Sequence, residues 1–139
     1  MKILLAADGS PYTKKALAYL VNHEALAAGG EVVVVNVQPP IPPRVKSAVG
    51  AAVVADYHRD EAGKVLQPIE RFLKRHQIPF TTKWVVGSAG AEIVRAAKRE
   101  RAQLVVMGTH GHGVLKRALL GSVAQNVVTD CDVPVLLVK

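Results

Sequence analysis

Cysteine, aromatic residues and long apolar runs are all scarce in this chain of 139 residues. The lone Cys131 excludes an internal disulfide and fits a reducing compartment. Aromatic residues make up 4% of a chain that is 50% apolar, so Val, Leu and Ala must fill the core, as in parallel α/β proteins. No apolar run approaches the roughly 18 residues of a membrane helix, and Ile3–Ala7 is shorter than the roughly 7 residues of a signal-peptide core. We therefore expect a soluble cytoplasmic protein of one domain, residues 1–139, without a membrane partner.

The formal net charge of +7 raises the question of nucleic acid as a partner. The basic residues are spread along the chain and fall mostly on the outward positions of predicted helices, as in Lys14-Lys15 and Lys98-Arg99. No aromatic residues interleave with them to form a base-stacking platform. The pattern disfavours a nucleic-acid site, while the excess positive charge still favours an anionic ligand.

Apolar runs alternate with helical patterns along the whole chain. The runs predict buried strands at Lys2–Ala7, Val32–Val37, Phe80–Val86, Leu104–Met107 and Val133–Val138. The patterns between them predict helices from Pro11 to a stop at Gly29-Gly30, over about Val45–His76, over Ala91–Arg101 and over about Leu115–Thr129. Such alternation predicts a parallel sheet with helices on both faces. In sheets of this class ligands bind at the carboxyl ends of the strands, where the strand order reverses.

Prolines and glycines set the predicted boundaries of several elements. Ser10 followed by Pro11 is typical of a helix cap and first helical residue. Four prolines in residues 38–43 block regular structure, and we expect Pro68 to kink or divide the helix that contains it. Gly121-Ser122 can break the last helix, which would then begin near Ser122.

A glycine-rich stretch follows the fourth predicted strand. It contains Gly108, Gly111 and Gly113, and the pair Gly121-Ser122 comes later. Glycine permits positive φ and close approach to a ligand, and N–H groups at a helix start can bind an anion, so the stretch indicates a phosphate site. It matches neither the Walker A loop nor the dinucleotide fingerprint. What remains is Gly108-x2-Gly111-x9-Gly121-Ser122, for which a flexible turn is the alternative interpretation.

This glycine pattern, with Val106-Met107 before it and Pro134–Val138 closing the chain, resembles the ATP-binding branch of the universal stress protein family. Ile3–Ser10 is similar to that family's first strand and loop. The resemblance implies an open, parallel, five-stranded α/β sheet of flavodoxin-like (adenine nucleotide alpha hydrolase-like) fold, strand order 3-2-1-4-5, with helices on both faces. It also implies a homodimer through residues 133–138. The implied ligand is ATP, with Mg²⁺ left open as an accompanying ion.

The resemblance further implies a set of ligand-contacting residues. Asp8 would lie near the ribose or phosphates, Ala6 and Val37 near the adenine, and Met107 beside the base or ribose. The ribose and phosphates would be surrounded by Gly108, Gly111, Gly121, Ser122 and Val123. The chain departs from the family pattern at Asn36, where His is usual, at Ser88-Ala89-Gly90, and at Gln103.

No metal site and no catalytic residue are predicted. His110 and His112 have no Cys or carboxylate near them in sequence, so they are interpreted as solvated loop residues or as phosphate contacts. Asp8 could instead complement the dipole of the first helix. The leading hypothesis is an ATP-binding stress-response module. Binding of the nucleotide would change its assembly state or its unknown protein partner. A nucleotide-independent interaction domain and a slow ATPase or phosphotransferase are the alternatives, and residues 39–43 with the helix after them are a candidate lid.

Overall fold

A computed structural model of the chain describes residues 1–23, 29–112 and 119–139. Its strands are β1 (Lys2–Ala6), β2 (Glu31–Gln38), β3 (Phe80–Val86), β4 (Leu104–Gly108) and β5 (Val135–Val138). Its helices are α1 (Pro11–Asn22), α2 (Pro43–Val49), α3 (Ala51–Arg75), α4 (Ala89–Arg99) and α5 (Ser122–Asp130). Among these described residues, no helix is both long and apolar enough to cross a membrane.

The strands form one parallel sheet in the order β3-β2-β1-β4-β5. The predicted fold class and strand order are therefore confirmed. β1 lies between β2 and β4, with Ile3 opposite Val32 on one side and Leu104 on the other. The strand order reverses between β1 and β4, so the loops after these two strands open at the same edge of the sheet.

Each face of the sheet is covered by its own layer of helices. Ile3, Leu5 and Val34 pack in a core cluster with residues of α1 and α3. Leu4, Val33 and Val105 pack in a second cluster with residues of α4 and α5. Because successive side chains of a strand point to opposite faces, the continuous apolar runs of β1 and β2 fill both clusters.

Helix α1 begins as the sequence predicts. Pro11 is its first residue, and the Ser10 hydroxyl accepts a hydrogen bond from the Thr13 amide at 3.4 Å. The helix ends at Asn22, ahead of the predicted stop at Gly29-Gly30. Residues 24–28 of that prediction lie outside the described residues.

The long helical region after the prolines is divided, but at Gly50 and not at Pro68. Gly50 has φ of 90°, a conformation that side-chain-bearing residues rarely adopt, and it separates α2 from α3. α3 continues through Pro68 to Arg75, so the prediction that Pro68 divides the helix is wrong. Pro43 starts α2, which a proline can do because the first helical residue needs no N–H partner.

The remaining differences from the sequence prediction lie at element ends. α4 begins at Ala89 and ends at Arg99, so Ala89 and Gly90 are helical and not part of a turn. β5 begins two residues later than predicted, after Pro134. The last helix begins at Ser122, which is the alternative that the Gly121-Ser122 pair raised; residues 113–118 of the longer helix lie outside the described residues.

Candidate functional site

A cavity of about 300 Å³ opens at the carboxyl ends of β1, β2 and β4, beside the first turns of α4 and α5. Every ligand-contacting residue implied by the resemblance lines it: Ala6, Asp8, Val37, Met107, Gly108, Gly111, Gly121, Ser122 and Val123. The volume lies at the small end of the range typical of small-molecule sites, roughly 300–1,000 Å³. The structure thus brings these residues together, while their contact with a ligand stays a prediction.

One side of the cavity is apolar and belongs to the α4–α5 face of the sheet. Its residues are Ala6, Val35, Val37 and Met107 from the strands, Ala89 and Ile93 from α4, and Leu120, Val123 and Ala124 from α5 and the turn before it. All of them except Ala89 belong to the second core cluster or pack against it. Alternation along each strand fixes this arrangement, because every second residue must face this layer.

The opposite side is polar and is built by the loops after β1 and β4 together with the start of α5. Its described side chains that carry polar atoms are Asp8, Thr13, Thr109, His110, His112 and Ser122. The first turn of α5 begins here at Ser122, and its preceding residue Gly121 provides no side-chain cap. Amide groups in the first turn of a helix have no partner within the helix, so this rim can offer hydrogen-bond donors to an anion.

Asp8 is held in place by the start of α1. Its Oδ1 accepts hydrogen bonds from the Ser10 amide at 2.8 Å and from the Thr13 hydroxyl at 2.7 Å, while its own amide donates to Thr13 Oγ1 at 3.1 Å. Asp8 thus contacts the start of α1, as one interpretation from the sequence requires, and it also lines the cavity, while its contact with a ligand stays a prediction. Thr13 was not predicted; its only sequence signal is its place in the first turn after Asp8.

The glycines of the motif make room for other parts of the protein. A Cβ on Gly111 would lie 2.6 Å from Asp8 Oδ2, and one on Gly108 would lie 2.4 Å from the Cβ of Tyr12. A Cβ on Gly121 would meet the carbonyl oxygen of Thr109 at 3.2 Å. None of these three glycines has a positive φ. The sequence argument for left-handed backbone here is wrong, and close packing of chain against chain explains these glycines instead.

Thr109 connects the loop after β4, called the glycine loop from here on, to two neighbouring elements. Its amide donates to the carbonyl of Val138 at 3.0 Å, and its own carbonyl accepts from the Gly121 amide at 2.7 Å. The side chain is buried, and its hydroxyl is hydrogen-bonded to His110 Nδ1 at 2.9 Å. Sequence reasoning missed Thr109, because nothing in a single Thr between glycines signals that its backbone joins three elements.

The two loop histidines have specific contacts. His112 is exposed, but its Nε2 donates a hydrogen bond to the carbonyl oxygen of Asp8 at 2.7 Å. His110 is half-buried, and its ring centre lies 5.2 Å from that of Tyr12. The exposure of His112 agrees with the prediction of a solvated loop residue, whereas half-buried His110 departs from it. Contact of either histidine with a phosphate stays a prediction.

Of the positions at which the chain departs from the family pattern, Ala89 lines the cavity, whereas Asn36 and Gln103 do not. Asn36 faces the α1–α3 layer, where its amide donates to the Ala7 carbonyl at 2.8 Å and accepts from Gln38 at 2.6 Å. No described residue of the proline-rich segment or of α2 lines the cavity, so the lid interpretation gains no support from this structure. Gly113 of the glycine-rich stretch lies outside the described residues.

Comparisons with known proteins agree with this architecture. The model of the universal stress protein family matches residues 1–139. A universal stress protein of Thermus aquaticus is 33% identical over 99% of this chain and 97% of its own length. The universal stress protein MJ0531 of Methanocaldococcus jannaschii is 30% identical over 99% of this chain and 81% of its own length.

Solved structures show the same fold. The protein MJ0577 of Methanocaldococcus jannaschii superposes with a TM-score of 0.85 at 31% identity, over 99% of this chain and 94% of that one. A universal stress protein in complex with cAMP (TM-score 0.73, 24% identity, 100% and 97% covered) and an Arabidopsis thaliana family member with AMP bound (0.72, 14%, 100% and 91%) share the fold. With the parallel order 3-2-1-4-5 and the family match over its whole length, the chain belongs to the universal stress protein family.

Proposed function

We propose that this protein binds an adenine nucleotide, ATP in the first place, in the cavity at the carboxyl ends of β1, β2 and β4. One observation carries the proposal: the residues that the family resemblance implicated, from four separate segments of the chain, line a single cavity. A cavity of this kind at the point where a parallel sheet reverses its strand order is the usual ligand site of doubly wound folds.

The two sides of the cavity suit the two ends of a nucleotide. The apolar wall around Val37, Ile93 and Met107 fits a planar base, and the loops around Gly111 and Ser122 provide amides and hydroxyls for ribose and phosphates. The ring nitrogens of His110 and His112 lie on the same polar side. The bound AMP and cAMP of the two structural neighbours support an adenine nucleotide as the class of ligand.

The site favours binding over rapid turnover. Asp8 is the one carboxylate among the described lining residues, and its Oδ1 already accepts two hydrogen bonds from the start of α1. Phosphoryl transfer ordinarily uses a metal ligand, a group that orients the nucleophile and a charge stabiliser together. We therefore place this protein among nucleotide-responsive regulatory modules, with the unpaired edge of β5 as its contact in a homodimer.

Equilibrium binding of ATP to the purified protein tests the proposal. In a matched pair of variants, Ala6→Leu adds a side chain to the apolar wall of the cavity, and Ala18→Leu makes the same change on the exposed side of α1. We expect ATP to bind the wild type and Ala18→Leu equally and Ala6→Leu at least tenfold more weakly. A wild type that binds no adenine nucleotide at millimolar concentration would leave the nucleotide-independent interaction domain as the better account.

A further inference from the structure

A side-chain hydrogen bond joins the loops after β1 and β4 beside the cavity. His112, on the second loop, donates from Nε2 to the carbonyl oxygen of Asp8 on the first, across 104 positions of sequence. We propose that His112 is a positioning residue that fastens the glycine loop to Asp8 and thereby slows the release of a bound nucleotide.

The surroundings show why this contact controls the loop. On one side, the loop is fixed through the Thr109 backbone to Gly121 and Val138. On the other side, Gly111 lies against the Asp8 carboxylate, and His112 supplies the hydrogen bond that keeps it there. Removing that bond takes away a hydrogen bond between the loops after β1 and β4.

The Asp8 end of the contact is the more rigid one. Asp8 is fixed by Ser10 and Thr13 at the start of α1, so its carbonyl is a stationary acceptor. A carbonyl oxygen can only accept, so Nε2 must carry the proton. His112 is exposed, and breaking its hydrogen bond to Asp8 is therefore a smaller event than unpacking any part of the core. The contact acts as a fastener for the loop and not as a component of the fold.

The inference rests on the proposed function for its effect on nucleotide, but the fastening itself is a property of the protein alone. Two measurements separate them. Hydrogen exchange of the amides of residues 109–112 in nucleotide-free protein reports the loop. The dissociation rate of ATP, followed by displacement of a fluorescent ATP analogue, reports the ligand.

Side-chain geometry provides matched variants. In Gln the amide nitrogen stands as many bonds from Cα as Nε2 does in His, whereas in Asn it stands one bond closer. His112→Gln should therefore keep exchange and dissociation within twofold of the wild type. His112→Ala and His112→Asn should each speed both by about two- to tenfold, the range for one hydrogen bond. His76→Ala, at the exposed end of α3, should change neither.

Three results would overturn the proposal. One is His112→Ala with wild-type loop exchange. Another is faster loop exchange with an unchanged dissociation rate for ATP, because the contact would then not retain the ligand. The third is rescue by Asn and not by Gln. A wild type that binds no ATP would refute the proposed function, while the exchange data would still decide whether His112 fastens the loop.

Discussion

Gly111 lies so close to Asp8 that a Cβ at position 111 would stand 2.6 Å from the carboxylate oxygen Oδ2. The two residues come from loops that follow different strands, and both line the cavity. A methyl group cannot fit there, because the other carboxylate oxygen is held by Ser10 and Thr13. The need for glycine at this position is therefore a requirement of the protein's own packing.

Gly111→Ala should weaken ATP binding at least tenfold, because the loop must move away from Asp8 to admit the methyl group. Gly63→Ala is the control: it lies within α3, and its nearest neighbour, Gln67 Nε2, would be at an ordinary 3.6 Å. That change should leave binding intact and raise stability by roughly 0.5–1 kcal/mol, the helix preference of Ala over Gly. Calorimetric titration and urea unfolding measure the two effects, and equal ATP affinity in both variants would contradict the prediction.

Thr13→Val should destabilise the fold by about 1–3 kcal/mol, because it removes the hydroxyl and leaves the Asp8 amide without that acceptor. Val has nearly the shape of Thr, so the buried position stays filled. Thr13→Ser retains the hydroxyl and should recover most of the loss. Urea unfolding of the three proteins measures the difference; a Val variant as stable as the wild type would show that these bonds contribute nothing net.

Glu100 should make the stability of the protein depend on acid pH. Its hydrogen bond from Lys83, with further attraction from Arg99 and Lys2, holds the pKa of the carboxyl below its usual value. A carboxyl whose pKa is lowered by folding stabilises the protein above the pKa of the unfolded chain, and this contribution is lost as pH falls through the folded pKa.

Glu100→Gln should accordingly lower the free energy of unfolding at neutral pH, by about 1 kcal/mol or less because the partners are partly exposed. The gap between variant and wild type should narrow as pH falls below roughly 4, and high salt should narrow it at neutral pH. Denaturant melts across this pH range measure it, and a gap that is constant with pH would contradict the assignment to charge.

Val135→Pro should weaken the proposed homodimer while sparing the sheet. The carbonyls of Pro134 and Val138 accept bonds from β4, so the backbone groups of the odd-numbered residues between them face the open edge of β5. Proline at 135 removes one of these outward donors. Light scattering over a dilution series should show a dimer for the wild type and a larger monomer fraction for the variant. A monomeric wild type at micromolar concentration would reject the dimer.

The strands and the edge of the sheet that carries the cavity could be predicted because they rest on long signals, whereas the strand order was implied by the family resemblance. Uninterrupted apolar runs such as Val32–Val35 indicate strands covered on both faces, and the glycine motif indicates the loop beside them. The break at Gly50 was missed because a glycine within a helical pattern is a weaker signal for a helix end than a proline. In the structure Gly50 has a positive φ and ends α2, whereas Pro68 lies within α3.

The contacts that shape the cavity mouth could not be predicted in the same way. The hydrogen bond from His112 to Asp8 and those between Thr13 and Asp8 depend on side-chain reach after the loops have been placed. No periodicity or spacing encodes such a meeting. The same holds for Gly108, where a Cβ would meet the side chain of Tyr12 of α1.

Thr109 links the cavity, which it lines, directly to β5 at the edge of the sheet. Its carbonyl oxygen accepts a hydrogen bond from the amide of Gly121, which precedes α5, and its amide donates to the carbonyl of Val138, the last residue of β5. If Thr109 moves when a nucleotide binds, its hydrogen bond to Val138 carries the movement to the end of β5. If two copies meet along that strand, ligand and partner would each alter the other's affinity by the same factor, as thermodynamic linkage demands. Signal transmission in this small protein would then require no hinge and no second domain, only a shift of one peptide group.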